Sequence, residues 1–84
     1  MLSAKAEGGN LLVRIWRDNP GWKIGAERLM KGEWCLVNDR WEEKLSDIPR
    51  YVSQFTNESL DWRSDEGGLM TLKEFVAKYG EFDH

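Results

Sequence analysis

The sequence predicts an α+β domain: an antiparallel meander of three to four strands, with two C-terminal helices packed on one face. Three observations lead to this prediction. Residues 11–17 are rich in β-branched and aromatic side chains, as strands are. Turn-forming pairs follow at Pro20-Gly21 and Lys31-Gly32. Residues 71–79 then repeat apolar side chains at helical spacing.

The strands are bounded by the two turn signals. The first strand is predicted over 11–17, and Pro20-Gly21 suits the central positions of a type II turn. A second strand then runs over 22–30, Lys31-Gly32 forms a hairpin tip, and a third strand covers 33–37.

Two stretches allow more than one interpretation. Residues 24–30 fit the second strand, because turn signals flank them, but they also fit two helical turns. Residues 40–45 fit either a fourth strand or a short helix capped by Asp39. These alternatives explain why three to four strands are predicted.

The first predicted helix begins after Asp47, a good N-cap residue, with Pro49 in its first turn. Its apolar side chains recur at i, i+3, i+4 and i+7, which is one helical face: Ile48, Tyr51, Val52 and Phe55. The polar stretch that follows, residues 58–68, is predicted to be a loop.

The second predicted helix covers 71–79. Thr71 and Glu74 have the spacing of a capping box, and Gly80 is expected to end the helix in a left-handed conformation. Its apolar stripe consists of Leu72, Phe75, Val76 and Tyr79.

The domain organisation is simple. Residues 1–10 are predicted to be a flexible N-terminal arm, and residues 11–84 a single small domain. The longest apolar run is far shorter than the roughly 20 residues of a membrane span. The first ten residues lack the apolar core of a secretory signal, and the chain has one cysteine. We therefore expect a cytoplasmic location and no membrane partner.

No residue pattern predicts catalysis. The one histidine, His84, is terminal, and Cys35 lies within a predicted strand, where a small core hydrophobe is the simpler interpretation. There is no zinc-type cluster, phosphate loop or dinucleotide fingerprint. The acidic pairs are typical of solvated charge runs. We expect no enzyme activity, no metal and no cofactor.

The predicted registers divide the sheet into two faces. Pairing around Lys31-Gly32 sets Leu29 opposite Trp34, and pairing around Pro20-Gly21 sets Trp16 opposite Gly25. One face is small and branched, and is expected to pack on the helices: Val13, Ile15, Trp22, Ile24, Ala26, Cys35 and Val37. The other mixes apolar and charged side chains: Leu12, Arg14, Trp16, Glu27, Leu29, Trp34 and Leu36.

The mixed face is the candidate partner-binding surface. The chain has five tryptophans in 84 residues, and each buries roughly 150–250 Å² when covered, which is more than a small core needs. Apolar patches with charged rims, anchored by Trp and Arg, are typical of interfaces. In the alternative interpretation, Trp41, Trp62 or the N-terminal arm covers Trp16 and Trp34. Trp22 is expected to be structural.

Charge is distributed asymmetrically. Residues 1–40 hold seven Lys/Arg and five Asp/Glu, whereas residues 41–84 hold five and ten. We therefore predict a non-enzymatic protein-binding domain, an adaptor or inhibitor, that uses the aromatic sheet face and the acidic C-terminal half. A phage-type inhibitor of a host nucleic-acid-handling complex is one version.

Two alternatives remain open. The Trp/Arg face is also compatible with stacking on a single-stranded nucleic acid, although the net charge of −3 disfavours direct phosphate binding. A homo-oligomeric structural protein is the other alternative, because an open sheet edge or an apolar face can pair with its twin.

Overall fold

The structure is a computed structural model, and it describes residues 1–80. Within them, an antiparallel sheet of five strands and two helices confirm the predicted α+β class. The sheet order is β4-β3-β2-β1-β5. A short 3₁₀ turn, Leu45–Asp47, precedes the first helix. The elements are β1 (Leu2–Ala6), β2 (Leu11–Asp18), β3 (Gly21–Met30), β4 (Glu33–Glu42), α1 (Ile48–Phe55), β5 (Leu60–Ser64) and α2 (Leu72–Tyr79).

The N-terminal residues form a strand inside the sheet. Strand β1 lies between β2 and β5, and its side chains at Leu2, Ala4 and Ala6 are buried. The predicted flexible arm over residues 1–10 is therefore wrong for residues 2–6. The segment alternates apolar and polar side chains, but two of its three inward positions are alanine, which is a poor strand former. Pairing with two neighbouring strands stabilises what local propensity does not.

Residues 58–68, predicted to be a loop, contain β5. Leu60 and Trp62 pack against the core, whereas Asp61 and Arg63 alternate with them and are exposed. This alternation is the period of a strand with one buried face. The polar residues of this alternation make the segment look like a loop in the sequence. With β1 and β5 included, the sheet has five strands instead of the three to four predicted.

The β2–β3 hairpin turns one position earlier than predicted. Asp18 pairs with Gly21, so Asn19 and Pro20, joined by a cis peptide bond, make the turn. Partners consequently differ by two positions from the predicted register. Because side chains alternate with a period of two, this shift leaves every residue on its predicted face.

The β3–β4 hairpin has the predicted tip. Lys31 and Gly32 both have positive φ, 52° and 81°, as a tight two-residue hairpin turn requires. Leu29 opposes Trp34 as predicted, but a β-bulge then inserts Val37, and Asn38, not Val37, opposes Ala26. Residues 24–30 are thus strand, and β4 continues to Glu42.

The core lies between one sheet face and the helices. The buried sheet residues are Leu2, Ala4, Ala6, Leu11, Val13, Ile15, Trp22, Ile24 and Ala26. Leu45, Ile48, Val52 and Phe75 close the cluster from the other side. Trp22 is 5% exposed and meets Phe75 edge to face, with ring centroids 5.8 Å apart. Its predicted structural role is confirmed.

Two residues predicted for the core face are not buried. Cys35 is half-buried and Val37 is 45% exposed. The bulge displaces Val37 from regular pairing, and β4 lies at the sheet edge. No residue of β4 is buried by the rest of residues 1–80.

Both helices form where predicted. In α1, Ile48 and Val52 are buried, with Tyr51 and Phe55 partly buried. In α2, the Thr71 hydroxyl accepts from the Glu74 amide, and the Glu74 carboxylate accepts from the Thr71 amide, completing the capping box.

Two predicted details of the helix ends are wrong. Gly80 has a φ of −65°, which is right-handed and not the expected left-handed stop. Asp47 precedes α1 at the N-cap position, but its side chain makes no capping hydrogen bond. Neither helix within residues 1–80 is long and apolar enough to cross a bilayer.

The role of β1 can be tested at Leu2, whose side chain is fully buried. We expect Leu2→Ala to lower the free energy of unfolding by about 2–5 kcal/mol, because it leaves a cavity in the core. Lys5→Ala, on the exposed side of the same strand, should change it by less than about 0.5 kcal/mol. Urea unfolding measures both, and equal values for the two variants would contradict the buried position of β1.

Candidate functional site

The sheet has a second face, here called the outer face, turned away from the helices. Its residues alternate with the buried ones along β1 to β3, and the residues of β4 that oppose outer-face residues of β3 extend it. Among residues 1–80, no helix, strand or loop packs across it. All seven residues predicted for partner binding lie there: Leu12, Arg14, Trp16, Glu27, Leu29, Trp34 and Leu36. Lys23, Gly25, Asp39 and Trp41 complete its centre.

Two tryptophans of the outer face each cover a glycine of β3. The Trp16 ring lies over Gly25, where an added Cβ would stand 3.5 Å from Cη2 of the ring. The predicted Trp16–Gly25 contact therefore exists, but as a diagonal contact, because Trp16 directly opposes Lys23. The ring of Trp41 lies in the same way over Gly21.

Trp41 is held in place from both sides. Its indole Nε1 donates to the backbone oxygen of Asp18, 3.1 Å away. Gly21 leaves room for the ring, since a Cβ there would overlap both the indole and the backbone oxygen of Glu42. Trp41 nevertheless remains 43% exposed. It adds a fixed aromatic surface to the outer face.

None of the proposed covers hides Trp16 and Trp34. Trp41 lies beside them on the outer face, Trp62 packs on the core side, and residues 2–6 form a strand within the sheet. Trp34 is 43% exposed, and Trp16, over its glycine, is half-buried. The question left open by the sequence is thus answered for residues 1–80.

A shallow hollow of about 610 Å³ lies at the centre of the outer face. Gly25, beside the Trp16 ring, is among the residues that line it, and Met1, Leu12, Trp16 and Leu36 supply apolar walls. Charged side chains surround these walls. The hollow is open to solvent, so its shape suits a protruding side chain better than an enclosed small molecule.

The charges around the hollow form pairs of opposite sign. Arg14 Nη1 lies 3.3 Å from Glu27 Oε1, and Lys23 Nζ lies 3.3 Å from Asp39 Oδ1. Arg14 and Glu27 meet diagonally, because Arg14 directly opposes Gly25. These side chains are partly exposed to solvent, so the pairs contribute little to stability. Their effect is to make the rim polar while leaving it electrically balanced.

The acidic half of the chain is partly engaged within the fold. Asp65 lies 2.8 Å from the Met1 ammonium group, and Glu58 lies 2.9 Å from Arg28. Glu42 pairs with Arg40, and Glu74 belongs to the capping box. These carboxylates are scattered over several elements and do not form one acidic face.

Asp39 and Trp41 are the site residues that the sequence does not assign. The register that predicts Leu36 on the outer face would place residues 38 and 40 there as well. The bulge at Val37 shifts the alternation, so that 39 and 41 lie there instead. The one local sign of this bulge is that two polar residues, Asn38-Asp39, follow an apolar run. The same pair also fits a turn, so it does not identify the bulge.

Within residues 1–80, no three His, Cys, Asp or Glu side chains are arranged to hold a metal ion. The Cys35 thiol is half-buried and lies 3.8 Å from the backbone oxygen of Glu33. His84 lies outside the described residues. The chemistry that the outer face offers is apolar contact surrounded by paired charges.

The two covered glycines provide a matched test of this geometry. We expect Gly21→Ala to lower the free energy of unfolding by about 1–3 kcal/mol, because the new methyl group meets backbone at Glu42 and cannot be relieved by a rotamer change alone. Gly25→Ala, where the contact is ordinary, should be neutral or stabilise by up to about 1 kcal/mol. Thermal or urea unfolding measures both; an equal effect of the two substitutions would contradict the Trp41 packing.

Comparison with protein-family models, curated proteins and solved structures finds no match for this chain. What the protein binds must therefore be inferred from the chemistry of the outer face.

Proposed function

We propose that this chain is a non-enzymatic protein-binding domain, an adaptor or inhibitor, whose binding surface is the outer face. One observation supports the proposal above the others. Three tryptophans, Trp16, Trp34 and Trp41, share a sheet face that no other part of residues 1–80 covers.

The outer tryptophans are not needed to build the core. A single buried cluster already joins the sheet to both helices, with Trp22 as its large aromatic residue. Leaving apolar surface in water costs roughly 25 cal/mol per Å², so large exposed side chains favour burial against another surface. Trp34 and Trp41 are 43% exposed and Leu36 is 64% exposed. Such a cluster is typical of an interface with aromatic anchors.

The hollow indicates what kind of partner fits. Its apolar walls suit one aromatic or branched side chain projecting from a folded protein. The Arg14–Glu27 and Lys23–Asp39 pairs around it provide hydrogen-bonding groups of both signs. An apolar centre with a polar rim is the common anatomy of protein–protein interfaces.

The same charges disfavour a single-stranded nucleic acid. Aromatic stacking contributes about 1–3 kcal/mol per base, but phosphate contacts need available cations. Arg14, Lys23 and Arg63 each have a carboxylate within 3.3 Å. A phosphate would have to displace that carboxylate, on a chain whose net charge is already −3.

The proposal predicts that a charge placed in the hollow weakens binding. We expect Leu12→Lys to reduce capture of partner proteins from a lysate of the native host by at least about tenfold, because it sets a cation against an apolar contact. Leu12 is half-buried on the outer face, so lysine can turn to solvent and the fold should persist. The measurement is quantitative mass spectrometry of proteins captured by immobilised wild type and variant.

Gln54→Lys is the matched control. It adds the same charge on the exposed side of α1, away from the outer face, and should capture the same proteins as wild type. Circular dichroism checks that both variants fold. If Leu12→Lys recovers every specific partner as well as Gln54→Lys does, the outer face is not the binding surface. Tryptophan quenching by single-stranded DNA or RNA that weakens steeply with salt would instead favour the nucleic-acid alternative.

A further inference from the structure

Strand β4 forms an edge of the sheet. Within residues 1–80, no strand pairs with the edge of β4 that points away from β3. The strand is ten residues long and none of its residues is buried. It carries the exposed apolar side chains Trp34, Leu36, Val37 and Trp41. A long edge strand with exposed apolar side chains can act as a template for pairing with another strand.

The pairing with β3 determines which backbone groups of β4 face outward. The tight turn at Lys31-Gly32 makes Met30 and Glu33 a hydrogen-bonded pair, and such pairs alternate along an antiparallel ladder. The amide and carbonyl groups of Trp34 and Leu36 therefore point away from β3. Leu29, opposite Trp34, agrees with this phase, because its amide donates to the backbone oxygen of Asn10 on the other side of β3.

The bulge changes the spacing of these outward groups. Val37 is the inserted residue, and regular pairing resumes at Asn38 with Ala26. The next outward-facing residues are therefore 39 and 41. Along the edge, outward groups occur at positions 34, 36, 39 and 41, so the intervals are two, three and two.

That spacing selects the kind of strand that fits. A regular strand presents its hydrogen-bonding groups at intervals of two, so it matches one half of the β4 edge and misses the other. A strand with a bulge at the corresponding place matches both halves. The set 34, 36, 39 and 41 is symmetric about a point between Val37 and Asn38, so an antiparallel second copy has the required spacing by symmetry.

We propose that β4 pairs antiparallel with β4 of a second copy of this chain, about a two-fold axis between Val37 and Asn38. Trp34 then opposes Trp41 of the second copy, and Leu36 opposes its Asp39. Residues of the outer face stay on one side of the joined sheet, because each pairs with another outer-face residue. Interfaces of this isologous type are common in homodimers.

The contact is narrow, which determines how it should behave. The cross-strand tryptophan pairs favour association, but Glu33 opposes Glu42 of the second copy, and this repulsion disfavours it. Within each copy Arg40 is paired with Glu42. It therefore lies diagonally across from Glu33 of the other copy and lessens the repulsion. A single strand pair lies at the small end of specific interfaces. We therefore expect reversible association that depends on concentration.

Sedimentation equilibrium of the wild-type chain is the first test. We expect monomer on dilution and a dimer, with no larger species, towards about 1 mM. Leu36→Pro should weaken dimerisation at least about tenfold, because proline removes an outward-facing N–H and is tolerated on edge strands. Leu36→Thr, the matched control, keeps the N–H and should stay within about threefold of wild type. A wild-type chain that remains monomeric, or proline and threonine variants that associate alike, would overturn the proposal.

Cross-linking tests the register without relying on a proline variant. In a Cys35→Ser background, Val37→Cys places two thiols beside the two-fold axis, and mild oxidation should yield a disulfide-linked dimer. Asp61→Cys in the same background replaces an exposed residue of β5, at the opposite edge of the sheet, and should stay monomeric. Equal cross-linking of both variants, or of neither, contradicts pairing through β4. The proposal would also be contradicted if a strand from a different protein bound this edge while the chain itself stayed monomeric.

This inference does not depend on the proposed function, and the two can fail separately. Leu12→Lys alters the hollow on β2 and leaves the β4 backbone untouched, so it should dimerise like wild type. Leu36→Pro also alters a wall of the hollow, but Leu36→Thr alters the same wall and keeps the N–H, so a difference in dimerisation between the two variants reports on the edge alone.

Discussion

The structure depends on the fact that only one face of the sheet is covered. Helices α1 and α2 have eight residues each, so each spans about 12 Å, whereas the ten-residue strands β3 and β4 extend about 34 Å. Two helices of this size can bury the middle of one sheet face and little more. The buried cluster around Trp22, Ile24 and Phe75 occupies that area. The outer face and the free edge of β4 are left uncovered by the rest of residues 1–80.

This constraint explains why the five tryptophans have different roles. Strand alternation puts Trp22 and Trp62 on the side of the helices, where they contribute to the core. The same alternation puts Trp16, Trp34 and Trp41 on the outer face. Two of these lie over glycines, Gly25 and Gly21, and are thereby held against the sheet. A rigid aromatic surface loses little conformational entropy on binding, which makes it suitable as an interface.

Much of the fold is predictable because local signals agree with it. The Thr71–Glu74 capping box, the apolar stripe of α1 and the Lys31-Gly32 turn each act through neighbouring residues, and each forms as predicted. Strands β1 and β5 escape prediction because both are short, and their alanine-rich or polar residues have little strand propensity of their own. They are strands because they pair with each other, and β1 also with β2. Local patterns contain no information on such distant partners.

The sequence by itself determined the face on which each residue of β2 and β3 lies, because a period of two survives even a register shift of two positions. It thereby placed Trp16 together with Arg14 and Glu27, and the Lys31-Gly32 turn added Trp34 opposite Leu29. Only the tertiary structure decided that this face stays uncovered within residues 1–80, and that Trp41 and Asp39 join it. The first depends on where the helices and β1 pack, and the second on the bulge at Val37. Both are set by contacts between residues far apart in the chain, which compete with local preference and here prevail over it.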